Sequence, residues 1–144
     1  PERMMLSDIS EVVMLEQNVS PTPWSETIFT DCLKAGYECW VLRSSEVFGY
    51  LILASAAQES HLLNIAIHPN SQGRGLGRSF LEFAISLAIN EGSERLFLEV
   101  RPSNNSARAL YQKKGFQFLG RRPNYYGRPA KEDALVLSLE FIPD

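Results

Sequence analysis

The chain is poor in cysteine and histidine and has no long apolar run. Its 144 residues include two cysteines and two histidines. Cys32 and Cys39 do not form a C-x-x-C pair, which excludes a dithiol redox motif and a disulfide scaffold. Two free, buried thiols in a reducing compartment are expected instead. His61 and His68 have no carboxylate or cysteine at ligand spacing, so no metal is expected. No apolar stretch approaches the roughly 20 residues that span a bilayer. Pro1-Glu2-Arg3-Met4-Met5-Leu6 carries no apolar signal core. The expected location is therefore the cytoplasm, without a membrane. A net charge of -3 gives no general affinity for nucleic acid. Repeats, low-complexity tracts and linkers are also missing, so residues 1–144 are expected to form a single domain. Nothing in the composition fixes an oligomeric state.

What is present alternates in period. Ser7-Asp8 offers a cap for a helix carrying Ile9, Val12, Val13 and Leu15/Glu16 and fading near Asn18. Ser20-Pro21-Thr22-Pro23 is a rigid loop. Ser25 caps a second helix reaching about Ala35. Strands are predicted over 37–43, 47–54 and 62–67, with a polar break at Gln58-Glu59-Ser60 and the first two as a hairpin. A glycine-rich loop then leads into a helix whose Phe80, Leu81, Ala84, Ile85, Leu87 and Ala88 share one broad face. Leu96–Val100 is a buried strand. Ser103-Asn104-Asn105 caps a helix from Ser106 to Lys114. Phe116–Gly120 and Ala134–Phe141 read as closing strands around a polar loop. The order predicts an α/β protein, a mixed sheet with helices on both faces.

The glycine loop carries the chemistry. A glycine-rich turn between a strand and a helix offers free backbone N–H groups and a positive helix end, an anion site. Gly73, Gly75 and Gly77 are spaced two apart, beside Arg74 and Arg78. The loop ends Gly77-Arg78-Ser79, without the lysine of a Walker loop. Neither register gives G-x-G-x-x-G, since the last glycine falls on Arg78 or Phe80. Both familiar nucleotide motifs fail, and a polyanion of another kind remains.

Gln72-Gly73-Arg74-Gly75-Leu76-Gly77 resembles the Q/R-x-x-G-x-G/A loop of the GCN5-related N-acetyltransferases. Asn64-Ile65-Ala66-Ile67-His68-Pro69 resembles the strand before that loop. Leu98-Glu99-Val100-Arg101, Ser103-Asn104, Ala109-Leu110-Tyr111 and Lys114-Gly115-Phe116 resemble the strand and helix after it. The likeness covers nearly the whole chain. It departs from the commonest form at Gly73, where many members carry a larger residue. Pro23-Trp24-Ser25, Leu98-Glu99-Val100-Arg101 and Arg121-Arg122-Pro123-Asn124-Tyr125-Tyr126 are similar to the branch that acts on ribosomal-protein N-termini. The resemblance implies one mixed, largely antiparallel sheet with helices on both faces, and acetyl-CoA as co-substrate. It implies that Gly73, Arg74, Gly75, Leu76, Gly77 and Arg78 hold the pyrophosphate. Main-chain groups of Ile65, Ala66 and Ile67 would meet the pantetheine arm, and Asn104 would also touch CoA. The implied partner is the N-terminal peptide of a ribosomal protein, the alanine of the eighteenth small-subunit protein, with no nucleic acid required.

Acetyl transfer needs a neutral amine and a proton for the leaving thiolate. An α-amino group has a pKa near 8, whereas deprotonating a lysine at pH 7 costs about 4–5 kcal/mol. Glu99 is out of place in the apolar run Leu96–Val100. It is the candidate base, with an outward-facing position or an ion pair with Arg101 as the structural alternative. The resemblance implies that Tyr111 is the proton donor; by itself a helix tyrosine reads as core packing. Tyr125 and Tyr126, in a loop bracketed by Pro123, Gly127 and Pro129, are candidates for peptide contact or for packing over the sheet. Trp24 is a candidate wall of the same cleft, with core packing as the alternative. Arg121, Arg122 and Arg128 form a small basic cluster. A lysine, polyamine or small-amine acceptor stays open, as does a CoA-responsive binding module without turnover.

Overall fold

A computed structural model describes residues 1–126 and 132–141. Seven strands form one sheet in the order β1-β2-β3-β4-β5-β7-β6. They are β1 (Glu2–Arg3), β2 (Glu38–Arg43), β3 (Val47–Ala56), β4 (Glu59–Ile67), β5 (Arg95–Val100), β6 (Gln117–Tyr126) and β7 (Glu132–Glu140). The helices are α1 (Ile9–Val19), α2 (Glu26–Lys34), α3 (Leu76–Asn90) and α4 (Asn105–Lys113). Every strand pair is antiparallel except β4 with β5, which α3 connects. This is the mixed sheet that the element order predicts, with the largely antiparallel pairing that the resemblance implies. Among the described residues no helix is long and apolar enough to cross a membrane.

β3 explains the layering. Tyr50, Leu51, Ile52 and Leu53 are all fully buried. A run buried on both faces requires cover on both. Tyr50 and Ile52 pack with Val12, Leu15, Phe29 and Cys32 of α1 and α2. Leu51 and Leu53 pack with Phe80, Leu81 and Ala84 of α3 and with Tyr111 of α4. Both cysteines are free and buried. Burial lifts the Cys39 thiol to about 12, which keeps it inert at neutral pH.

Several boundaries differ from expectation for local reasons. Asp8 does not cap α1 with its side chain. Its carboxylate instead accepts from the Met5 N–H and from Arg43. β3 and β4 run further toward each other than the polar break implied. They meet in a two-residue turn with Ala57 at φ 51° and Gln58 at φ 66°. Such turns usually carry glycine or asparagine, so this one left no signal. β6 continues through Arg121–Tyr126, where a polar loop was expected, because β7 pairs with Arg121, Arg122 and Tyr126 across an irregularity. The Gly127–Pro129 part of that loop, with Arg128, lies outside the described residues. Ser25 and Asn104 do cap as expected, accepting from Ile28 and Ala107.

One irregularity creates the site. Ile52 pairs with Asn64 while Leu53 pairs with Leu62, so Leu63 is an extra residue in β4. A bulge of this kind bends its strand. β4 and β5 pair only from Glu59↔Arg95 to Leu62↔Leu98. Beyond that point Asn64–Ile67 pair with β3 alone, and Glu99 and Val100 pair with β7 alone. The sheet therefore opens in its middle, leaving two strand edges facing a gap.

Candidate active site

The gap is bounded at one end by the glycine loop. Gly73 and Gly75 take φ values of 83° and 75°, and a Cβ at either would meet nothing within 4 Å. The backbone conformation requires glycine, and the space above it is open to a ligand. The side-chain amide of Gln72 donates to the Ile67 carbonyl at 2.9 Å. This ties the loop to the end of β4. The first N–H groups of α3 have no partner within the helix. Arg74 is exposed, and Arg78 sits 3.6 Å from Glu82 with its side chain 69% exposed. Such a pair is weak in water, so Arg78 is available to an anion. Asn104 uses Oδ1 for its cap, which leaves its amide N–H groups available. The backbone conformation, the open volume and the two cations fit a pyrophosphate, so the residues present suit CoA.

Glu99 lies where the strands part. Its side chain is 6% exposed. Its neighbours differ from the alternative considered above, because Arg101 does not pair with it. His61 Nε2 lies 2.6 Å from Glu99 Oε1. The Tyr125 hydroxyl donates to the same oxygen at 3.3 Å. Arg122 approaches Oε2 at 3.9 Å and stacks over the Tyr125 ring at 4.7 Å. One carboxylate thus gathers β4, β5 and β6. Burial, then the Glu99 charge and hydrogen bond, raise the Tyr125 hydroxyl above its ordinary value, and Arg122 opposes that. The Tyr126 hydroxyl is raised further, first by burial.

Tyr111 faces the α3 core at 7% exposure, its ring 5.5 Å from that of Phe116. Burial pushes its hydroxyl up to about 12. Among the described residues no hydrogen-bond partner for that hydroxyl is present.

Arg101 takes a different role from the one weighed for it. Its guanidinium donates to Thr22 in the α1–α2 loop and to Glu132 at 3.4 Å, and lies 3.9 Å over the Tyr126 ring. One planar fork therefore joins the α1–α2 loop to β6 and β7. Arg101→Lys removes the fork and keeps the charge. For the reaction that the resemblance implies, the expected result is a KM for a peptide acceptor raised about tenfold, with the KM for acetyl-CoA unchanged. Steady-state kinetics with each substrate varied in turn measure this, and equal changes in both constants would contradict it.

Trp24 packs on Phe29 with ring centroids 5.2 Å apart, the core alternative weighed for it. Its backbone N–H donates to Glu16 Oε2 at 2.9 Å. Glu16 is 3% exposed and also accepts from the Tyr50 hydroxyl and from Asn64 at 3.1 Å. Sequence reasoning missed this buried carboxylate, because a glutamate on an amphipathic helix reads as a solvent residue. It missed His61 as well. Arg121 pairs with Asp133 at 3.2 Å and so leaves the expected basic cluster, while Arg122 turns toward Glu99.

The chain is similar to known proteins in sequence and in fold. The model described as acetyltransferase (GNAT) family matches residues 6–116. A ribosomal protein bS18-alanine N-acetyltransferase from Escherichia coli is 35% identical over 135 residues, covering 92% of this chain and 91% of that one. Among solved structures, the ribosomal-protein-S18-alanine N-acetyltransferase from Escherichia coli superposes with a TM-score of 0.88 at 32% identity, over 99% of this chain and 94% of that one. A putative acetyltransferase from Salmonella typhimurium, solved with its cofactor acetyl-CoA, shares the fold. It gives a TM-score of 0.78 at 17% identity over 99% and 94% of the two chains.

Proposed function

The chain belongs to the acetyltransferase (GNAT) family, and from that premise we propose that it acetylates the α-amino group of a protein N-terminus. The observation that carries this is Glu99, a nearly buried carboxylate at the parting of β4 and β5, under Tyr125 and beside the Arg101 tie between the α1–α2 loop and β6–β7. The proposed acceptor is the N-terminal alanine of the eighteenth small-subunit ribosomal protein, a reading supported by relatives named for alanine of that protein. Residues 1–144 act as one catalytic domain, in the cytoplasm where that acceptor is made.

Acetyl-CoA supplies an activated acetyl thioester. Gly73–Arg78 would hold its pyrophosphate, Asn104 would add an amide, and the open edge at Ile65, Ala66 and Ile67 would pair with the amides of its arm. Glu99 takes a proton from the α-ammonium, which frees the nitrogen lone pair. Tyr111 holds a proton for the leaving sulfur. Tyr125 and Tyr126 orient the peptide main chain, and Trp24 supports the loop beside them.

A set of acceptors tests this: an alanine-first peptide with that ribosomal N-terminus, the same peptide with its α-amine blocked and a free lysine, and spermidine. Turnover confined to the free α-amine is expected. Equal or faster turnover of the blocked peptide or of spermidine would replace the acceptor.

A further inference from the structure

We propose that His61 is a positioning residue for the base, holding one oxygen of Glu99 and weakening the base when its ring is protonated. This rests on Glu99 being the base. The contact is built by the parallel ladder. His61 pairs with Phe97 in the last stretch before the strands part, so Glu99 follows two residues later on the same face. The imidazole stacks on Phe97 at 4.4 Å and 21°. A ring nitrogen and a carboxylate oxygen 2.6 Å apart need a proton between them. With a neutral ring, Nε2–H donates to Oε1. That fixes the carboxylate and leaves Oε2 for the substrate. The His61 side chain is 22% exposed against 6% for Glu99, so the ring exchanges protons with solvent more freely.

Among the described residues the other charged or titratable neighbours are few. From β6, Tyr125 donates to Oε1 and Arg122 stands 3.9 Å from Oε2. Tyr126 lies near enough for its hydroxyl to be raised by the Glu99 charge. On β5, Arg101 is turned to Thr22 and Glu132. On α1, Glu16 is engaged by Tyr50, Asn64 and Trp24. Of the two groups that touch Oε1, His61 at 2.6 Å is thus the nearer.

In the base step one N–H bond of the α-ammonium breaks and an Oε2–H bond forms, with the electron pair left on nitrogen. Over a turnover the ammonium nitrogen loses two protons. One ends on the CoA thiol and the other in solvent. An imidazolium on Oε1 stabilises the carboxylate anion and lowers its proton affinity. The base is therefore strong while the ring is neutral and weak once it is charged.

The test is the pH profile of kcat/KM for the wild type, His61→Gln, His61→Ala and Glu99→Gln. Glutamine keeps an N–H for Oε1 and cannot titrate. The α-amine's own ionisation is common to every profile and cancels in their ratio. His61→Gln should keep at least half of wild-type activity at pH 8. Its ratio to the wild type should rise about five- to tenfold between pH 8 and pH 5.5. His61→Ala should lose several-fold in kcat at pH 7, where about a tenth of the amine is neutral without help, with Gln restoring it. A ratio flat or falling with decreasing pH overturns the proposal. Glu99→Gln separates the two levels: wild-type turnover in that variant sinks the base itself, whereas an inactive variant beside a flat ratio sinks only the His61 role. A second readout needs no activity. The chain has two histidines, so the His61 ring can be followed by nuclear magnetic resonance. Its ring N–H signal should move in Glu99→Gln, where the carboxylate that accepts it is gone, and an unchanged signal overturns the proposal.

Discussion

Glu99→Gln should lower kcat for an alanine-first peptide about tenfold at pH 7, with the KM for acetyl-CoA unchanged. The amide keeps the shape of the side chain and an acceptor for Tyr125, so the loss reports basicity. The pH dependence gives the sign. Near pH 7 about a tenth of an α-amine with a pKa near 8 is neutral, and a base is needed for the rest. Above about pH 9 the amine is already neutral without help. The deficit of the variant should therefore shrink as pH rises. A deficit that stays constant to pH 9.5 would mean that Glu99 acts on a later proton. Wild-type kcat at pH 7 would remove it from the chemistry.

Tyr111→Phe is expected to lower kcat about ten- to a hundredfold and to leave thermal stability within about 2 °C. The phenyl ring keeps its packing on Phe116, and among the described residues the hydroxyl has no partner to lose. Burial pushes that hydroxyl up to about 12. A thiol in water has a pKa near 8.5, so complete transfer to a solvated thiolate would be uphill by about 3.5 units, or about 5 kcal/mol. An apolar surround raises the thiol too. Tyr111 therefore works as a hydrogen-bond donor first, passing its proton as the C–S bond breaks. The raised value also means that Tyr111 stays protonated up to pH 11. An alkaline limb of kcat near pH 9 to 10 that vanished in Tyr111→Phe would contradict this. A large fall in melting temperature would assign the hydroxyl a structural part instead.

What was legible in the sequence was whatever is local. The run through Tyr50–Leu53 announces a strand, and Ser25 and Asn104 announce helix starts. The spacing of Gly73 and Gly75 announces an anion site at the mouth of α3, and both glycines take left-handed backbone there. Glu99 stood out because a carboxylate in an apolar strand needs a reason. Its partners did not, because they are set by register. His61 lies 38 residues from Glu99, and Thr22 lies 79 from Arg101. No spacing rule within one element reaches that far. Glu16 was hidden because the surface of a helix and its buried polar network use the same residue type. The turn at Ala57-Gln58 and the length of β6 were missed for the opposite reason. There tertiary pairing overrides weak local preference.

The bulge at Leu63 has a consequence for how this protein tolerates change. It opens an edge in the middle of the sheet, and an edge offers main-chain N–H and C=O groups. An extended ligand that pairs with Asn64–Ile67 is then recognised by atoms that every residue type except proline carries in full. A substitution at Ile65 or Ala66 that keeps the strand extended leaves those groups in place. Binding along this edge is therefore buffered against mutation, and the sensitive position is the one extra residue that holds the two strands apart.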